Sequence, residues 1–164
     1  MKIRLASTID LPIIEKLARA VWPKTYATII SAAQIDYMLN WMYSTPTLLK
    51  QLDSGHEFYI ISLKEIDIGF IGLEWYLEDN LRQLKINKLY VLDAYQGAGA
   101  GKSLVKKAMQ LGLQSNVNEI FLQVNKANKA VGFYKNLGFT IKEAAVFDIG
   151  EGFVMDDYIM SLPL

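Results

Sequence analysis

Between Gln96 and Ser103 the chain reads QGAGAGKS, with glycines at three alternate positions followed by a lysine and a hydroxyl side chain. Glycine takes left-handed dihedrals without a Cβ penalty, so such a turn can curl its N–H groups around an anion. A strand carrying Leu84, Ile86, Leu89, Val91 and Leu92 runs into the turn, and the turn opens a helix whose free first amides favour the same ligand. The chemistry expected there is phosphate binding. Acid–base groups are few. Glu74 shares a strand face with Ile66, Ile68 and Phe70, where loss of water should raise its pKa and suit it to a general base. His56, the single histidine, and Asp148 are alternatives, although each reads equally well as an ordinary turn or strand-end residue.

The elements that must position these groups follow from periodicity. Lys2 to Leu5 reads as a first strand; Thr8 or Asp10 then caps a helix with Pro12 in its first turn, which Trp22-Pro23 is expected to end or bend. Ser31 and Gln34 have capping-box spacing ahead of a helix striped by Ile35, Met38, Leu39 and Met42. Thr45-Pro46 opens a short helix. Glu57 to Leu63 and Ile66 to Tyr76 form a hairpin, apolar on both faces, as suits a covered sheet. After the glycine turn come an amphipathic helix, a strand from Glu119 to Val124, a helix from Asn125 to Leu137, and a hairpin of Ile141–Ile149 with Phe153–Leu162.

Composition bounds the function. The chain has 164 residues, 52% of them hydrophobic and 12% aromatic, enough for one domain over residues 1–164 with a sizeable core. There is no cysteine, which excludes disulfides, thiolate metal sites and a cysteinyl acyl-enzyme. Asp10, Pro12 and Glu15 interrupt the N-terminus before a signal-length apolar run, and no stretch is long enough to span a membrane, so a cytoplasmic, soluble protein is expected. Net charge is zero, which disfavours nucleic-acid binding. Leu84 to Lys142 nevertheless holds nine lysines against Asp93 and Glu119, leaving the acidic side in excess elsewhere. That asymmetry suits a phosphorylated cofactor and a cationic substrate, or simply solvated helix faces.

Three phosphate ligands compete for the turn. A Walker A loop needs its first glycine where Gln96 stands, and counted from Gly97 the loop is one residue short. The dinucleotide fingerprint fails because Gly101 comes one position early. Gln96-x-x-Gly99-x-Gly101, entered from a strand and opening a helix, resembles the pyrophosphate loop of the GCN5-related N-acetyltransferases. Leu122-x-Val124-Asn125-x-x-Asn128, followed by Ala130, Phe133-Tyr134 and Gly138-Phe139, resembles that family's next strand and helix. Gln34-x-x-Tyr37 is loosely similar to the bacterial spermidine/spermine N-acetyltransferase branch.

The resemblance implies a mixed α/β fold, a mostly antiparallel twisted sheet of about seven strands flanked by about four helices. It implies acetyl-CoA as cofactor and direct acetyl transfer to a primary amine, such as a polyamine, another small molecule or a peptide. A homodimer is compatible with it, and no nucleic acid, membrane or metal partner is expected. Leu89, Tyr90 and Val91 would pair through their backbone with the pantetheine arm; Gln96, Gly97, Ala98, Gly99, Ala100, Gly101, Lys102 and Ser103 would hold the pyrophosphate. Asn125 and Asn128 would meet the cofactor arm, and Tyr134 would be the general acid. Many members carry a glutamate on the strand before the loop, but Leu84 to Lys88 contains no carboxylate, which leaves Glu74 as the candidate base. Trp22, Tyr26, Tyr37 and Asp148 are expected to line the acceptor pocket, with Asp156 or Asp157 as further acids. A reading of another class is a non-catalytic acyl-CoA sensor on the same fold.

Overall fold

The computed structural model describes residues 1–164. Seven strands form one sheet in the order β1-β2-β3-β4-β5-β7-β6, comprising β1 (Lys2–Leu5), β2 (Glu57–Leu63), β3 (Ile66–Glu78), β4 (Leu81–Val91), β5 (Glu119–Asn125), β6 (Thr140–Gly150) and β7 (Phe153–Pro163). Only β4 and β5 are parallel. Lys64 and Glu65 both take positive φ in the β2–β3 turn, the geometry that matches a hairpin's twist.

Five helices cover the sheet: α1 (Leu11–Tyr26), α2 (Ala32–Tyr43), α3 (Thr45–Asp53), α4 (Ala100–Gln114) and α5 (Ala130–Asn136). One apolar core joins Leu104, Val105 and Ala108 of α4 to Ile71, Leu84, Ile120 and Leu122 of the sheet. The other sets Ile14, Trp22, Met38, Tyr43 and Leu48 of α1, α2 and α3 against Phe58, Ile60 and Phe70. Burial on both faces explains the apolar hairpin.

Two helix boundaries correct the sequence reading. Trp22-Pro23 does not end α1, which continues to Tyr26. Thr25 Oγ1 donates to the Val21 carbonyl at 3.1 Å, the Ala27 N–H donates to the Pro23 carbonyl, and Trp22 packs on Tyr26 with ring centroids 4.4 Å apart. The last turn therefore survives the missing proline N–H. α5 begins at Ala130, not Asn125, because Asn125 and Asn128 each accept, through Oδ1, the N–H two residues on at 2.9 Å. Such side-chain turns compete with helix. Ser31 does cap α2, accepting from the Gln34 N–H at 3.1 Å, but the Gln34 amide donates to the Val154 carbonyl and ties α2 to the closing hairpin.

Candidate functional site

β4 and β5 are paired only from Gln83–Ile86 to Glu119–Leu122. Beyond these, β4 stays with β3 as far as Val91 and β5 stays with β7 as far as Asn125, so the two central strands part. The β4 edge from Asn87 to Val91 that faces β5 is left without a partner strand. Asn87 is a bulge residue, since Gly72 pairs with Lys88 and Leu73 with Ile86. The bulge inverts the facing of β4. Leu84 and Ile86 pack in the core under α4, as do Leu89 and Val91, whereas Lys88 and Tyr90 turn toward α1 and α2.

The glycine turn stands at the mouth of this gap. Gly97 and Gly99 have φ of 80° and 84°, left-handed conformations that require glycine. No amide from Gly97 to Lys102 has an acceptor within the chain. Six consecutive free donors, with Lys24, Lys102 and Lys129 lining the same cleft, make an anion cradle. Gln96 braces it through Nε2, which donates to the Val91 carbonyl (3.2 Å) and Asp93 Oδ1 (3.1 Å). Ser103 Oγ donates back to the Gly99 carbonyl at 3.0 Å, so it too braces the turn. The cleft, of about 780 Å³, runs past Leu89, Tyr90 and Val91 to Asn128.

A second cavity, of about 130 Å³, adjoins the cleft and shares Leu89, Tyr90, Asn128 and Ala130 with it. Trp22, Tyr26, Tyr43, Tyr90 and Tyr134 supply aromatic walls. Asn128 Nδ2 donates to Tyr26 Oη at 3.4 Å, and the Tyr26 and Tyr90 hydroxyls lie 3.2 Å apart. Burial raises the pKa of Tyr26, Tyr43, Tyr90 and Tyr134, so all four keep their protons through the neutral range. The Trp22 indole N–H is buried near the Tyr43 hydroxyl, yet outside hydrogen-bonding geometry.

The charged groups of the cavity are Lys85, Lys88 and Asp157. Burial pushes Asp157 up to about 6, and the neighbouring Asp156 adds to the rise. Burial pushes Lys88 down to about 8 and lowers Lys85 as well.

The structure brings Trp22, Tyr26, Asn125, Asn128 and Tyr134 together in this cavity. Tyr37, Asp148 and Glu74 stand elsewhere. The Tyr37 hydroxyl donates to the Ile149 carbonyl at 2.7 Å and its ring packs on Phe153, so it latches α2 to the hairpin. Asp148 is exposed and accepts the Gly150 N–H in the hairpin turn. Glu74 stands beside the bulge, opposite Lys85, accepting from Asn87 Nδ2 at 2.6 Å with His56 Nε2 at 3.6 Å. Sequence reasoning passed over Lys88 and gave Asp157 only a lining role. The available signal was the shift of the apolar residues of β4 from even positions, Leu84 and Ile86, to odd ones, Leu89 and Val91.

A parted parallel strand pair, with an amide cradle at its mouth and an aromatic cavity at its back, is the architecture of an acyl-transferring domain. Residues 54–141 match the model of the acetyltransferase (GNAT) domain, and the chain belongs to that family. It is 28% identical over 167 residues to the spermidine N(1)-acetyltransferase of Thermoplasma acidophilum, covering 95% of this chain and 96% of that one. The crystal structure of PaiA N-acetyltransferase from the same organism, in complex with coenzyme A, superposes with a TM-score of 0.81 at 26% identity over the whole of both chains. A GCN5-related N-acetyltransferase from Rhodopseudomonas palustris shares the fold with a TM-score of 0.82 at 19% identity, over 99% of this chain and 95% of that one.

Proposed function

We propose that residues 1–164 act as one N-acetyltransferase domain that moves an acetyl group from acetyl-CoA directly to a primary amine. The observation that carries this is the free β4 edge leading from the amide cradle to the aromatic cavity. Bound acetyl-CoA supplies the thioester. Gly97 to Lys102 would hold its pyrophosphate through backbone amides, the free β4 edge from Leu89 to Val91 would pair with the pantetheine arm, and Asn128 lines the far side of the cleft.

Asp157 is the cavity's one carboxylate and takes the amine's proton on its Oδ atoms. It takes that role in place of Glu74, which does not line the cavity and whose carboxylate is held by Asn87 Nδ2 at the bulge. Tyr134 Oη makes no hydrogen bond within the chain and keeps its proton. Full transfer from so weak an acid to a thiolate of pKa about 8.5 is uphill. Tyr134 therefore serves chiefly by hydrogen-bonding the sulfur as it departs.

The polyamine acceptor draws support from the Thermoplasma relative, whose name specifies spermidine. A cavity with two lysines and one carboxylate favours a second reading, an amine that also bears an acid. Coenzyme A thiol release measured across a panel of amines tests the proposal, with acceptor-dependent turnover expected. Tight coenzyme A binding without it would make the chain an acyl-CoA sensor. Light scattering of the purified chain reads whether it assembles as a homodimer.

A further inference from the structure

Lys88 is 3% exposed, lines the aromatic cavity and holds its Nζ 5.3 Å from the Tyr43 ring centroid. No hydrogen bond reaches that ammonium, and no carboxylate oxygen lies within 4.0 Å of it. Among the other charges nearby, Glu74 on β3 favours the Lys88 ammonium from beyond 4.0 Å while its carboxylate accepts from Asn87 and lies beside His56, and Lys126 pairs with Asp156. Lys85 lies over the Phe121 ring, and Asp157 comes from β7 across the strand gap. Tyr43 and Tyr90, which pack about Lys88, are neutral.

A buried cation loses its hydration, and contact with one ring face returns only part of the loss. An aliphatic side chain would fill the same wall at lower cost. The arrangement is stabilised when a ligand brings a counter-ion into direct contact with the ammonium. We infer that the amine acceptor carries an acidic group, in the first instance a carboxylate, and that the Lys88 ammonium is its anchor in the aromatic cavity. This rests on the acetyl-transfer reading and names its substrate class. A small amino acid meets both demands: its carboxylate is drawn to Lys88 and its amine to Asp157. A polyamine presents only charge of the sign Lys88 already has. Gly72 faces Lys88 across the β3–β4 pair, and a Cβ there would lie 3.4 Å from Lys88 Cβ.

The test uses alanine, serine, threonine and methionine, each beside its own amide, with putrescine and spermidine as cationic probes. Thiol release from acetyl-CoA gives kcat/KM for each. The wild-type protein is expected to prefer each acid over its amide by about ten-fold or more, although the amide's less basic amine is the more available nucleophile. Lys88→Met is expected to bring that ratio to about one, mainly through a higher KM, and Lys88→Arg to retain the preference. In parallel, thermal unfolding with saturating coenzyme A should show the acids raising Tm in the wild type and not in Lys88→Met.

A wild-type preference for amides or polyamines overturns the anchor, as does an acid-to-amide ratio that Lys88→Met leaves unchanged. Acetylation of Lys88 itself, seen by mass spectrometry after incubation with acetyl-CoA, would also overturn it by making this lysine an acceptor. An acid-specific rise in Tm that Lys88→Met abolishes, without turnover of any amine, supports the anchor and removes the transferase reading. Turnover of uncharged or cationic amines alone does the reverse. Absence of both signals removes both.

Discussion

The proposed donor cleft is built from backbone and the proposed acceptor cavity from side chains, and the two differ in what each can recognise. Along the cleft, free amides from Gly97 to Lys102 and the open β4 edge present donors whose positions depend on dihedrals, with lysines at the rim adding charge. Such a surface fits one phosphorylated cofactor and tolerates many side chains. In the cavity, Asp157, Lys88, Tyr134 and the Trp22–Tyr26–Tyr43–Tyr90 cluster set shape, charge and proton inventory. On the proposed roles, substitutions there should change which amine is used and how fast, while substitutions in the turn should change how tightly the donor is held.

The largest effect that could break this division is at Asp157. Asp157→Asn is expected to lower kcat/KM for the amine by about 10²–10³ and to remove the acid limb of the rate profile. In the wild type the carboxylate is ionised above about 6, so activity should fall as pH drops through that value. An unaltered acid limb in the variant would move the base elsewhere. Tyr134→Phe comes next, with kcat reduced by about 10–100-fold and coenzyme A affinity retained, as read by stopped-assay turnover and calorimetry. The thiol's own acidity keeps this loss below the first. Gly99→Val sharpens the contrast from the donor side: a branched residue at φ 84° costs about 1–2 kcal/mol. The coenzyme A Kd should rise about ten-fold, with kcat at saturating donor little changed.

The same contrast governs how much was legible in the chain. The cradle could be read because left-handed backbone demands glycine, and alternate glycines between a strand and a helix leave few ligands. The strands could be read because burial on one face or two leaves a period-two record. Lys88 is harder to read, because its only signal is the shift of the apolar residues of β4 from even to odd positions around it. The bulge at Asn87 moves it from the α4 side, where Leu84 and Ile86 lie, to the α1/α2 side and its cavity. Glu74 and Asp157 look alike along the chain, each an acid within an apolar strand; the order β4-β5-β7 decides which one meets the cavity. Along the chain Tyr37 is expected to line the acceptor pocket. Only the packing of α2 on the closing hairpin shows that its hydroxyl is spent on the Ile149 carbonyl.

The smallest effect separates catalysis from stability at one residue. Asp157 is raised to about 6 in the folded chain, so the native state holds its proton more tightly than the unfolded chain does. The resulting stabilisation is fully present below the unfolded value, about 3.9, and is lost as pH rises through about 6. Above that, the ionised carboxylate is a burden on the fold that an asparagine does not impose. Asp157→Asn should therefore be the more stable protein at pH 8, by about 1 kcal/mol or about 2–4 °C in Tm, with the advantage vanishing toward pH 4. Thermal unfolding of the two proteins across that range measures it. An advantage at pH 8 beside a large loss of turnover identifies a carboxylate kept for chemistry at the expense of stability, whereas a loss of Tm at pH 8 would make Asp157 a structural partner in the cavity wall.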